Sequence, residues 1–287
     1  MKTKKLPSAL TLALSLCLLL FGCNINVDVK PQDSFSPDSI PAYSGSPYVA
    51  VNGNEPFFDE SESSTVSFER YGELDYLGRC SEAFACIGQD LMPSSPRESI
   101  SKIKPTGWQT AEYSFVDGKH LYNRCHLIGF QLSGENANEK NLITGTRYLN
   151  VEGMLPFENM TADYVKETEN HVLYRVTPIF TDDNLVADGV LMEAKSVEDG
   201  GEGICFNVYA YNVQPGVIIN YATGDSTADE TIYDNETKYI LNTNTKKFHD
   251  PSCKLSNDIK KSNRQVYYGS REALIMQGYE PCGSCKP

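Results

Sequence analysis

Residues 119–169 constrain the fold more than any other part of the sequence. Met154–Glu169 places Phe157, Met160, Tyr164 and Thr168 at spacings of three or four, which predicts an amphipathic helix with those residues near one face. Two extended stretches precede it, Lys119–Ile128 and Asn141–Asn150, with a looping segment between them. Val172–Phe180, Val186–Ala194 and Gly203–Val213 follow as alternating, β-branched or aromatic runs and predict three more strands. This order of strand, loop, strand, helix and further strands defines an α+β domain. Upstream, Ser46–Val51 is strand-like and ends in the turn signal Asn52-Gly53, and Arg97–Ile103 reads as a short helix.

The ends of the chain have a different character. Met1–Lys5 is basic, Leu10–Phe21 is an apolar run of 12 residues, and Leu20-Phe21-Gly22-Cys23 follows. A run of that length is too short for an ordinary membrane span and reads as the h-region of an export signal. The four residues at its end resemble the lipobox of bacterial lipoproteins, which implies cleavage before Cys23 and a lipid on that cysteine. The division expected is a signal peptide over 1–23, a Pro- and Asp-rich tether over 24–39, a main domain over 40–225, an acidic linker over 226–236 and a tail module over 237–287. The protein is then expected outside the cell, on the outer face of the cell membrane or secreted.

A formal net charge of −13 argues against a polyanionic partner, because phosphate binding runs on Lys and Arg. The distribution is uneven, however. Residues 237–287 carry nine basic and four acidic side chains, so a local cationic surface remains available. Outside the cell, Cys80, Cys86, Cys125 and Cys205 are compatible with two disulfides or with buried small hydrophobes.

Four histidines are present, and His126 has the richest surroundings, in Leu121-Tyr122-Asn123-Arg124-Cys125-His126-Leu127-Ile128-Gly129. A histidine suits a general base because its free pKa, about 6.5, leaves it mostly neutral at pH 7. A hydrogen-bonded structural histidine is the alternative. Asn123-Arg124-Cys125-His126 resembles the Asp-Arg-Gly-His motif of the DNA/RNA non-specific endonucleases, with Asn123 in place of Asp and Cys125 in place of Gly. The similarity continues through Gln131–Asn138, Asn141–Asn150 and Gly153–Asn159, spans roughly Ile40–Gly224, and is strongest toward exported streptococcal DNases. It implies a ββα-metal core on an antiparallel sheet and metal-dependent cleavage of DNA and RNA to 5′-phosphate ends. By position it makes His126 the base and Asn150, 24 residues on, the direct ligand of Mg²⁺ (or Mn²⁺). Glu158 would hold metal-bound water, and Arg124 and Arg147 would grip phosphate, unless they serve as structural ion pairs. Asn138 and Asn141 would buttress the metal loop.

In the tail, His249-x3-Cys253 and Cys282-x2-Cys285 form two close pairs 28 residues apart. Four such ligands suit a tetrahedral structural Zn²⁺, against the alternative of one disulfide and a spare thiol. The segment Tyr239–Pro287 resembles the Ada-like metal-binding module, and its basic residues make it a candidate holder of nucleic acid. The partners expected are therefore DNA, RNA and, through Cys23, a membrane, with no protein partner. Two other readings are a non-catalytic surface protein that binds nucleic acid and a disulfide-bonded or redox domain built on the central cysteines.

Overall fold

The computed structural model describes residues 35–229, 237–269 and 271–287; the signal segment, Cys23 and most of the tether and linker lie outside them. In chain order the main elements are β1 (Tyr48–Ala50), β2 (Phe68–Tyr71), β3 (Ala83–Ile87), β4 (Tyr122–His126), α1 (Phe130–Ser133) and β5 (Leu142–Thr146). A π-helical turn (Leu149–Met154) leads into α2 (Leu155–Thr168), followed by β6 (Val172–Ile179), β7 (Gly189–Ser196), β8 (Cys205–Tyr211), β9 (Val217–Ile219) and β10 (Ser226–Ala228). The tail holds β11 (Lys238–Asn242), β12 (Lys247–His249), α3 (Lys254–Asn257), β13 (Arg264–Tyr268), α4 (Arg271–Met276) and β14 (Glu280–Pro281).

The six-stranded sheet has the order β1-β8-β7-β6-β3-β2, and every pair in it is antiparallel. Both of its faces are covered, which explains why β7 and β8 are buried at almost every position. On one face Val190, Met192 and Ala194 of β7 join Phe157, Ala162 and Val165 of α2 and Cys125 of β4 in the largest core. On the other, Leu191 packs with Tyr209, Tyr211 and the N-terminal Phe35, Ile40 and Phe57. Glu193 is buried on that second face, where it pairs with Arg175 (2.8 Å) and accepts the Phe57 N–H (2.7 Å).

Three expectations are corrected. Arg97–Ile103 is not helical: Pro96 and Pro105 bracket a stretch too short for a stable helix, and the carbonyls of Ser101 and Ile103 accept from Arg124 instead. The buried stripe of α2 is Phe157, Thr161, Ala162 and Val165, with Met160 exposed, so the helix is rotated from the face that spacing suggested. Small Thr161 and Ala162 bring it close to the sheet. Ser226–Ala228, assigned to the linker, pairs with β9 as a strand. The four central cysteines form no disulfide; Cys80, Cys86 and Cys125 are buried and Cys205 is half-buried.

The pair β4–β5 is a separate two-stranded sheet, and a buried carboxamide ties it to the large one. Asn212, just beyond β8, accepts the Thr146 N–H (2.8 Å) and donates to the carbonyls of Thr144 (3.1 Å) and Ala187 (2.9 Å). Replacing it strands three backbone groups, each costing about 1–3 kcal/mol when buried without a partner. Asn212→Ala should therefore lower unfolding free energy by about 3 kcal/mol or more in denaturant titration. A change below about 0.5 kcal/mol would show that this link does not hold the hairpin.

Candidate active site

His126 ends β4 opposite Leu142 of β5 and is only 6% exposed. The chain beyond it is clamped by Asn141, which is completely buried. Its Oδ1 accepts the Ile128 N–H (2.9 Å), its Nδ2 donates to the Ile128 carbonyl (3.0 Å), and its own carbonyl accepts the Leu127 N–H (2.9 Å). Asn138 shapes the turn before it by accepting the Lys140 N–H (3.0 Å). Asn141 thus bonds to the backbone that follows His126, while Asn138 bonds only within the turn leading into β5.

The imidazole has one partner on each nitrogen. Nε2 lies 2.8 Å from the Asn136 carbonyl, which can only accept, so the proton sits on Nε2. Nδ1 is left with its lone pair and receives an N–H from Arg97 at 3.2 Å. Burial depresses the His126 pKa to about 4, and the Arg97 charge adds to this against the Asn136 hydrogen bond. The ring is therefore a neutral acceptor at Nδ1 from about pH 5 upward.

Asn150 and Glu158 come from the helix that follows β5. At about 100° per residue, eight residues of regular α-helix overshoot two turns by about 80°. The π-helical turn Leu149–Met154 winds less per residue and brings the two positions nearer one face. Both line the same groove as His126, a cavity of about 650 Å³. Burial pushes the Glu158 carboxyl up to about 7, against a Gln131 hydrogen bond and the Arg97 charge. Gly129 gives that carboxylate its room: a Cβ there would lie 2.5 Å from Glu158 Oε2.

Arg97, Lys104, Arg124 and Arg147 face this groove, against the single carboxylate of Glu158. The groove lining thus carries more basic than acidic side chains although the whole chain is acidic. The two arginines expected to grip phosphate have partners already. Arg147 makes two hydrogen bonds to Asp117 Oδ2 (3.0 and 2.8 Å). Arg124 donates to the carbonyls of Ile103 and Ser101 and lies 4.0 Å over the Trp108 ring, holding the loop along the groove wall. Arg97, which contacts His126 itself, escaped sequence reasoning because its segment reads as a short helix with nothing to mark a site. The only available signal was a basic residue in a Pro- and Ser-rich loop with Lys102 and Lys104 close behind. Elsewhere, His171 is bound to Glu198 (2.6 Å), and His120 sits at the groove rim beside Glu112 (3.4 Å).

In the tail, one ligand atom from each of His249, Cys253, Cys282 and Cys285 falls within 4.8 Å of all the others. That spread suits one tetrahedral ion with Zn–S distances of about 2.3 Å. Backbone N–H groups of Asp250 and Ser284 point at Cys285 and Cys282 Sγ, each at 3.4 Å. Such donors favour thiolate character. Tyr239, Leu241, Phe248, Leu274 and Tyr279 form a separate small core for this sheet, whose order is β13-β11-β12-β14.

Comparison with known proteins agrees with this geometry. Residues 60–198 match the family model for DNA/RNA non-specific endonuclease. The chain is similar to the crystal structure of NucA from Streptococcus agalactiae with magnesium ion bound, at 25% identity and TM-score 0.56, over 63% of this chain and 87% of that one. The metal-free NucA structure matches at 26% identity and TM-score 0.55, over 63% and 86%. Sda1 nuclease with bound zinc ion shares the fold at 24% identity and TM-score 0.54, over 64% and 97%. The class is therefore a ββα-metal nuclease of α+β architecture on an antiparallel sheet. The match over residues 60–198 and the nuclease neighbours together make the protein a hydrolytic endonuclease.

Proposed function

We propose that this protein cleaves extracellular DNA and RNA without sequence preference, with His126 as general base and one Mg²⁺ (or Mn²⁺), leaving 5′-phosphate ends. The observation that carries the reading is the neutral His126, with Nδ1 turned to a cation-lined groove that also holds Asn150 and Glu158. Nδ1 takes a proton from a water molecule, the resulting hydroxide attacks phosphorus, and the P–O3′ bond breaks as O3′ takes a proton from solvent water. The proton left on the ring is tolerated because Nε2–H keeps its hydrogen bond to Asn136. Arg97 guards Nδ1 in the free protein and, once a phosphate arrives, exchanges that bond for a stronger one to phosphate oxygen.

The donors suit Mg²⁺, which prefers oxygen ligands and retains several waters. Asn150 Oδ1 would bind it directly, and Glu158 would hold its waters; a carboxyl raised to about 7 by burial gains from a nearby cation. When bound, the ion would offset negative charge developing on the phosphate and the leaving oxygen. Magnesium in NucA supports the choice. Arg124 and Arg147 flank the groove as phosphate contacts, Arg147 by releasing Asp117. A non-catalytic nucleic-acid-binding role is disfavoured because base, amide and carboxylate are all retained around one cavity.

His249, Cys253, Cys282 and Cys285 hold a structural Zn²⁺ in this reading, in an Ada-like module over 237–287 whose basic residues add affinity for nucleic acid. The leader over 1–23 and lipidation of Cys23 would set the enzyme on the outer face of the cell membrane.

Purified protein should degrade plasmid and RNA in Mg²⁺ at pH 7–8 and stop on addition of EDTA. His126→Ala should lose about 10²–10⁴-fold in rate without unfolding. At saturating Mg²⁺, with the cation keeping Glu158 ionised, the rate should be flat between pH 6 and 8 and fall as pH drops through about 4, where Nδ1 becomes protonated. Intact plasmid after long incubation, or a fully active His126→Ala variant, would contradict the proposal. For the tail, elemental analysis of full-length protein purified without added metal should find one zinc per chain, with Cys253, Cys282 and Cys285 as thiols after its removal. No zinc, with Cys282 or Cys285 in a disulfide, would contradict that part.

A further inference from the structure

Cys125 stands where the related motif has glycine, in β4 directly before His126, and is 1% exposed. Its Sγ lies 3.1 Å from Asn150 Oδ1 and 3.4 Å from Met154 Sδ, so the thiol reaches the first and last thirds of the π-helical turn. The hairpin leaves space for it by omitting a side chain on the neighbouring strand. A Cβ on Gly145 of β5 would lie 2.7 Å from Cys125 Cβ and 3.2 Å from its Sγ.

We infer that Cys125 is a positioning residue for metal binding, its S–H donating to Asn150 Oδ1 from the core side and holding the carboxamide with its oxygen available to a cation in the groove. The inference rests on the reading of Asn150 as a metal ligand. An amide oxygen has two lone pairs, so one accepts from the thiol while the other serves the cation. An amide nitrogen in that place would turn the S–H away toward Met154 Sδ and meet only the sulfur's weak acceptor lone pair. The thiol therefore selects the oxygen-inward rotamer over its flipped form. Without that donor the carboxamide rotates among orientations, and the ion must bind to a fraction of them. The expected deficit is in metal affinity, with little change in rate once the site is filled.

The test compares Cys125→Ala and Cys125→Ser in the full chain by two readouts. One is the Mg²⁺ concentration giving half-maximal plasmid cleavage. The other is direct binding of Mn²⁺, followed by electron paramagnetic resonance and counted as the sites missing from Asn150→Ala. Cys125→Ala should raise the half-saturating Mg²⁺ about tenfold and weaken Mn²⁺ binding in parallel, as loss of an outer partner of a metal ligand does. The maximal rate should stay within about threefold. Cys125→Ser restores a donor and should bind metal within about twofold of the parent, although a hydroxyl suits this apolar surrounding worse than a methyl group does. In an Asn150→Ala background, Cys125→Ala should have no further effect on metal dependence. The inference is overturned if Ala leaves metal affinity unchanged, or if Ser weakens it as much as Ala, which is the pattern of simple core damage. Should Asn150→Ala itself leave Mg²⁺ dependence unchanged, the ligand assignment fails and the role of Cys125 falls with it.

Discussion

The hydrogen bond from His126 Nε2–H to the Asn136 carbonyl decides which imidazole nitrogen is free to act. A carbonyl cannot donate, so the proton is fixed on Nε2 and the lone pair on Nδ1. The bond depends on the loop between β4 and β5 holding its shape, which Asn141 secures through Ile128. That loop depends in turn on the hairpin keeping its place beside the large sheet, where Asn212 bridges Thr144, Thr146 and Ala187. Two buried carboxamides thus support the hairpin and loop that hold the His126 ring at the groove. Asn141 and Asn212 are fully buried and have both ends satisfied, the condition under which buried polar groups specify one arrangement.

Desolvation does the remaining tuning, with opposite effects on the two titratable groups of the groove. It lowers the pKa of His126 by disfavouring the imidazolium and raises that of Glu158 by disfavouring the carboxylate. Arg97 sits between them electrostatically, since its charge lowers both values. The divergence of a base and an acid in one cavity is a common mark of an active site.

Strand and helix order was legible because it rests on periodicity. Val172–Ile179, Gly189–Ser196, Cys205–Tyr211 and Leu155–Thr168 all fall within or near the runs that alternation and spacing marked. His126, Asn150 and Glu158 were legible through motif resemblance, and the structure brings them to one groove. Arg97 was not, because its segment reads as a short helix whereas its contact with His126 is set by a loop. The rotation of α2 was missed because apolarity favoured Met160, whereas close packing on the sheet favoured small Thr161 and Ala162. The π-helical turn was missed because nothing in Leu149–Met154 distinguishes it locally from regular helix. The bonds of Arg124 and Arg147 depend on partners 30 or fewer residues away in loops, Asp117, Ser101 and Ile103, which only the folded chain brings near.

The central claim is that a neutral imidazole at position 126 supplies the base. Its most direct measurement is plasmid cleavage by His126→Gly with added imidazole, at saturating Mg²⁺ and varied pH. Free imidazole can enter the space left by the side chain and should restore cutting in proportion to its neutral form. The rescued rate should therefore climb through neutral pH, where the parent protein, with its His126 pKa depressed to about 4, is flat. No rescue at any imidazole concentration, in a variant that is folded and binds Mn²⁺, would contradict the account.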